Sequence, residues 1–181
     1  MIFSLFRSDP RRTTIARLYE RVATASRAPG LYLALAVPDT VEGRFEALCL
    51  HVVLVLRALR DRPPPADEVA NGLAEALFRD LDAVLRESGV GDAKVPKRMK
   101  SLAEAFYGRA QAYDRAFGVG EPELAAALGR NVTGQAPARG LARYAFAADG
   151  NLRSQDLQDL LTVGPRFPAP ETYAPAPGGL P

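Results

Sequence analysis

Residues 39–60 read DTVEGRFEALCLHVVLVLRALR, and the central part, ALCLHVVLVLRAL, is apolar on every helical face apart from His51 and Arg57. A helix of this kind must be covered on all sides, by protein or by lipid. The run falls short of the roughly 20 apolar residues that a bilayer span requires. The sequence therefore predicts a buried central helix inside an all-α bundle. Its start is marked too. Asp39 is placed to N-cap the helix, with Glu42 three residues on to complete a capping-box-like pair.

The flanking segments supply the covering helices. A helix over 10–27 takes Pro10 into its first turn and puts Ile15, Leu18, Tyr19, Val22 and Ala25 on one face. The apolar segment 31–37 is one or two turns long and stops at Pro38. RPPP at 62–65 ends the central helix. A helix over 67–87 turns Val69, Leu73, Leu77, Leu81, Val84 and Leu85 to the core. Its opposite face carries Glu68, Glu75, Arg79, Asp82 and Arg86, with Glu75–Arg79 and Asp82–Arg86 at favourable i,i+4 spacing. After the SGVGD loop, a helix over 94–117 buries Val95, Met99, Leu102, Phe106, Ala110, Tyr113 and Phe117. Shorter helices are expected at 122–130, 137–148 and 152–162. The fold class is thus a single-domain all-α bundle of about six or seven helices over 10–163. A flexible apolar and basic N-terminus (1–9) precedes it. The Pro-, Gly- and Ala-rich tail 164–181 reads as disordered.

Several chemistries are excluded. One Cys and one His leave no disulfide framework and no ordinary protein-only zinc site, which suits a reducing, cytosol-like compartment. His51 has no nucleophile or orienting acid beside it and reads as a structural core histidine. Cys49 reads as a small buried hydrophobe. The glycines of SGVGDAK and FGVGEP follow no predicted strand, so they are neither a P-loop nor a dinucleotide fingerprint. No catalytic residue, metal or cofactor is expected, and the chain does not read as an enzyme.

Charge is distributed unevenly. Residues 1–30 and 94–117 each carry +4, so with a net charge of +2 the remaining chain sums to −6. At the start, Phe3, Leu5 and Phe6 are followed by Arg7, Arg11 and Arg12, a pattern expected to touch an anionic membrane surface weakly and peripherally. The stretch is short and contains Asp9, which argues against a transit peptide. The chain's three lysines, Lys94, Lys97 and Lys100, fall within seven residues together with Arg98. Cations in a first helical turn oppose the helix dipole, and a negatively charged partner would offset that. Farther along, Tyr107 should look partly outward. Gly108, costing about 1 kcal/mol relative to Ala in a helix interior, reads as a packing glycine or a point of close backbone approach.

VPDTVEGRFE (37–46), followed by His51, and GVGDAKVPKRMKSLAEAFYGR (89–109) together resemble the two signature blocks of the ubiquinol–cytochrome c chaperone family. The likeness extends in looser form from the first helix to about Asp149. The resemblance implies an all-α protein that assists assembly of the cytochrome bc1 complex. Mitochondrial relatives hold newly made cytochrome b at the inner face of the membrane and act near the ribosome. Their Arg-rich targeting extension is not found here, and the Ala/Arg/Pro-rich composition suits a bacterial member. We therefore expect a chaperone whose client is cytochrome b, in the cytoplasm, peripheral to the inner face of the inner membrane. Contact with the ribosome is also open to it, and DNA is not an expected partner. Client binding is assigned to Lys94, Lys97, Arg98, Lys100, Glu104, Tyr107, Arg109 and Gln111. Structural roles are assigned to Asp39, Arg44, Phe45, His51, Met99, Phe106 and Gly108. The alternative is an RNA- or ribosome-binding module that uses the basic start of the 94–117 helix, with an affinity falling steeply with salt.

Overall fold

The computed structural model describes residues 10–134 and 137–175. Among them the chain is helical, with no strand: α1 (Pro10–Ala25), α2 (Pro29–Leu33), α3 (Val41–Leu59), α4 (Ala66–Glu87), α5 (Val95–Val119), α6 (Glu121–Leu128), α7 (Arg139–Ser154) and α8 (Leu157–Thr162). A π-helical turn (Gly129–Thr133) extends α6, and a 3-10 turn (Pro170–Tyr173) follows α8.

The apolar run is the axis of this bundle. On α3, residues 46–55 are all buried, and α1, α4, α5 and α7 pack around it. The helix begins one residue later than expected, because Thr40 rather than Asp39 caps it. The Thr40 hydroxyl accepts from the Gly43 amide at 3.1 Å. Asp39 instead accepts from Arg44 Nε at 2.8 Å, on the exposed side of the turn. Gly43 has its own reason. A Cβ there would lie 2.0 Å from the Pro38 carbonyl oxygen, so the chain can fold back over the first turn only at a glycine.

Two further boundaries differ from expectation. Asp149–Gly150–Asn151 was expected to separate two helices, but α7 runs through it to Ser154. Arg57 holds Asp149 from α3 at 2.9 Å, and Leu152 beyond it is fully buried. The end of α7 is closed by the Arg62 guanidinium, which donates to the carbonyls of Leu152, Arg153 and Gln155 at 2.7–2.9 Å. Those are carbonyls that a helix end leaves without partners.

The tail is the larger correction. Residues 164–175 lie against the bundle as a strap rather than as a disordered segment. The Gln155 side chain pins it at both ends of its amide, donating to the Gly164 carbonyl at 2.8 Å and accepting from the Arg166 amide at 3.1 Å. Phe167 then seats on His51, with ring centroids 4.8 Å apart, and Tyr173 meets Tyr144 edge-on at 6.0 Å. Two aromatics spaced six residues apart anchor a segment whose composition otherwise argues for disorder. Residues 1–9 and 176–181, the rest of the two expected flexible ends, lie outside the described residues.

Candidate functional site

Helix α5 divides into two unlike halves. In its second half Phe106, Tyr113, Ala116 and Phe117 are buried, and ties run to α3. Arg109 Nε donates to Glu46 at 2.5 Å, Asp114 accepts from Arg57, and the Arg57 guanidinium sits 4.1 Å from the Phe117 ring centre. In its first half, only Val95 is buried. Met99 and Leu102, expected in the core, are half-covered, as are Leu81 and Leu85 on α4, and Val84 is 46 % exposed. These residues lie toward the loop that joins α4 to α5, where less of the bundle covers the hairpin than at Leu73, Leu77, Phe106 and Tyr113 of the same stripes.

The outward face of this hairpin carries most of the assigned client residues. Lys94, Lys97, Arg98, Lys100, Glu104, Tyr107 and Gln111 are all exposed. No acidic residue stands in the first turn of α5, so its cations face the helix dipole without local compensation. Lys100 and Glu104 approach only to 3.8 Å, with both side chains in solvent. Tyr107 is 59 % exposed while its ring leans on Phe78 (centroids 5.9 Å) and Phe106 (5.3 Å). Its position is therefore fixed from beneath, although most of the ring is open.

Two assigned residues do not fit their roles. Arg109 is engaged inward by the buried Glu46, and it also donates to the Ala105 carbonyl at 3.0 Å. Burial pushes the Glu46 carboxyl up, and the Arg109 guanidinium opposes that shift. The pair is a structural clamp between α3 and α5, with Phe45 half-buried 5.9 Å from the guanidinium. Gly108 was expected either to pack inside the domain or to sit at a close backbone approach, but a Cβ there would meet nothing within 4 Å. No local contact explains it.

The sole imidazole is fully buried. His51 Nδ1 lies 2.7 Å from the Ala47 carbonyl, which can only accept, so Nδ1 carries the proton. Nε2 is then the acceptor for the Tyr144 hydroxyl at 2.7 Å. Burial pushes the imidazole down to about 4, so it is neutral near pH 7. Cys49 is fully buried as well, and its thiol is pushed well above the ordinary range, chiefly by burial. Sequence reasoning missed the Glu46–Arg109 clamp and the Arg57 junction to Asp114 and Asp149. The one available signal was a lone arginine inside an apolar run, which needs partners from other helices.

Of the residues assigned to the membrane, Phe3, Leu5, Phe6 and Arg7 lie outside the described residues. Arg11 and Arg12 are exposed on the first turn of α1, and Arg11 pairs with Glu68 of α4 at 2.5 Å. Among the described residues, no helix is long and apolar enough to cross a membrane, and no group of three or more His, Cys, Asp or Glu side chains could hold a metal ion.

Comparison with known proteins agrees with this architecture. Residues 33–167 match the family model described as Ubiquinol-cytochrome C chaperone. The crystal structure of the Cbp3 homolog from Brucella abortus superposes with a TM-score of 0.76 at 38% sequence identity, covering 89% of this chain and 93% of that one. No curated protein matches. With the family model spanning most of its length, the chain belongs to the ubiquinol–cytochrome c chaperone family.

Proposed function

We propose that this protein is an assembly chaperone for the cytochrome bc1 complex that holds newly made cytochrome b on the outward face of the α4–α5 hairpin. The observation that carries this reading is the combination of exposed Tyr107, supported by Phe78 and Phe106, with the uncompensated cations at the start of α5. A holdase needs a rigid partner surface rather than a catalytic constellation. An aromatic anchor with a basic rim suits a client segment that is partly apolar and partly acidic. In this reading the protein works beside the inner face of the membrane, and the N-terminal Phe3, Leu5 and Phe6 with Arg7, Arg11 and Arg12 add weak contact with anionic lipid. Lys94, Lys97 and Arg98 also support the second reading, contact with ribosomal RNA. That contact would weaken steeply between low and moderate salt, whereas an apolar client contact would not. The test is photo-crosslinking in respiring membranes with a reactive group in place of Tyr107. The expected product is a cytochrome b adduct, and a ribosomal adduct alone would favour the second reading.

A further inference from the structure

Of the 23 basic residues in the chain, three are lysines, and all three stand within residues 94–100, at the start of α5. Elsewhere the positive charge is carried by arginine, and arginine makes the closely held contacts. Arg86 meets Asp82 through Nε at 2.7 Å and reaches Asp92 through Nη1 at 2.8 Å. Arg57 holds Asp149 at 2.9 Å, Arg166 holds Asp159 at 3.1 Å, and Arg62 closes α7 on three carbonyls. Among the described residues lysine enters one ion pair, Lys100 with Glu104 at 3.8 Å, and both side chains there are in solvent.

Charge does not call for lysine at these positions, because both side chains are cationic at neutral pH. Helix formation does not call for it either, since the two have nearly equal helix propensity and oppose the dipole alike. Lys97 and Lys100 are exposed, so no packing constraint selects one side chain over the other. What differs is the close contact. Arginine presents a rigid, planar fork that grips a carboxylate through two parallel bonds, whereas the lysine ammonium is a compact, strongly hydrated point charge on a flexible stem.

The placement follows the same division. At about 100° per residue, Lys100 lies about 20° and Lys97 about 80° around α5 from Tyr107, at about 10 and 15 Å from it along the axis. Arg98, the one arginine in the cluster, lies about 180° around the helix from Tyr107. The cations on the anchor's side of α5 are lysines.

We propose that Lys97 and Lys100 set the release of the client: they draw in a segment of cytochrome b that carries carboxylates about 10–15 Å from an apolar side chain seated on Tyr107, without clamping it. This rests on the reading that the client is held on the outward face of α5. The long-range field is the same whichever cation makes it, so lysine and arginine steer encounter equally. The lifetime of the complex depends on the contacts made after docking, and there the arginine fork would prolong it. A protein that holds a subunit only until it is assembled needs a fast approach and a bounded residence time.

The experiment compares the full chain with its Lys97→Arg/Lys100→Arg variant, following association and dissociation of a cytochrome b fragment in detergent. Melting curves of the two should coincide, since both positions are exposed. Association should match the parent within roughly twofold at low and moderate salt, while dissociation should slow at least about threefold. A fragment whose Asp and Glu residues are replaced by Asn and Gln should leave both proteins at the same rate. A parent-like dissociation rate in the arginine variant overturns the proposal, and so does slowing that persists with the amide fragment. Lys97→Glu with Lys100→Glu separates this failure from that of the underlying reading. If it weakens binding while the arginine variant releases at the parent rate, the client face stands and lysine identity is immaterial. If it binds like the parent, the client lies elsewhere and both ideas fall.

Discussion

The Tyr144 hydroxyl of α7 donates to Nε2 of His51 at 2.7 Å, tying the central helix to the helix that packs along it. The bond requires a neutral imidazole with its proton on Nδ1, and that is the state burial enforces. In the unfolded chain the same group titrates near 6.5, so from there down to about pH 4 the unfolded state binds a proton that the folded state refuses. Stability therefore rises with pH across this window and is lost on acidification through it, by up to about 3 kcal/mol. His51→Gln should lower the melting temperature at pH 7 and flatten the pH dependence between 4 and 6.5. An unchanged acid limb in the variant would show that other groups set it.

The Glu46–Arg109 clamp makes a second prediction. Glu46 is 6 % exposed, so removing its partner leaves a buried carboxylate uncompensated. Arg109→Ala should cost about 3–5 kcal/mol, and Glu46→Gln with Arg109→Met far less. Urea unfolding of both variants checks this. Equal losses would mean that Arg109 contributes by packing alone.

Glycines 43 and 108 should respond oppositely to alanine. At Gly43 the new methyl group runs into the Pro38 carbonyl, so Gly43→Ala should destabilise by more than 1 kcal/mol. At Gly108 there is open space within a helix, so Gly108→Ala should stabilise by about 0.5–1 kcal/mol. If Gly108→Ala keeps stability but weakens client binding, the glycine serves close approach of the client.

These contrasts mark what the sequence could and could not carry. The axial position of α3 was legible because an all-round apolar run has only one solution in water. The α4–α5 hairpin was legible from its stripes, since periodicity fixes which residues share a face. Periodicity does not say where a stripe runs out of neighbours, which is why Met99 and Leu102 are half-covered rather than buried. Arg109 looked free because its partner, Glu46, lies 63 residues away on another helix. The strap was hidden by its composition. Phe167 and Tyr173 are isolated among prolines and glycines, and only the fold brings His51 and Tyr144 to them.

The strap should accordingly contribute to stability. Phe167→Ala removes a half-buried ring from His51, with an expected cost of about 2 kcal/mol, below that of a fully buried phenylalanine. Gln155→Ala removes both pins of the strap and should raise amide exchange in 164–173 before the bundle itself opens. Exchange at wild-type rates would mean that the aromatic contacts hold the strap unaided.

The central claim is that the outward face of α5 holds cytochrome b, and it is tested most directly by binding to a cytochrome b fragment in detergent at two ionic strengths. Lys97→Glu with Lys100→Glu should leave the melting curve within about 0.5 kcal/mol of the parent, since both side chains are exposed. It should slow association chiefly at low salt, as loss of charge steering does. Tyr107→Ala should raise the off-rate at both salt concentrations, as removal of an aromatic anchor does. Parent-like binding by both folded variants would contradict the claim and leave α5 as scaffold.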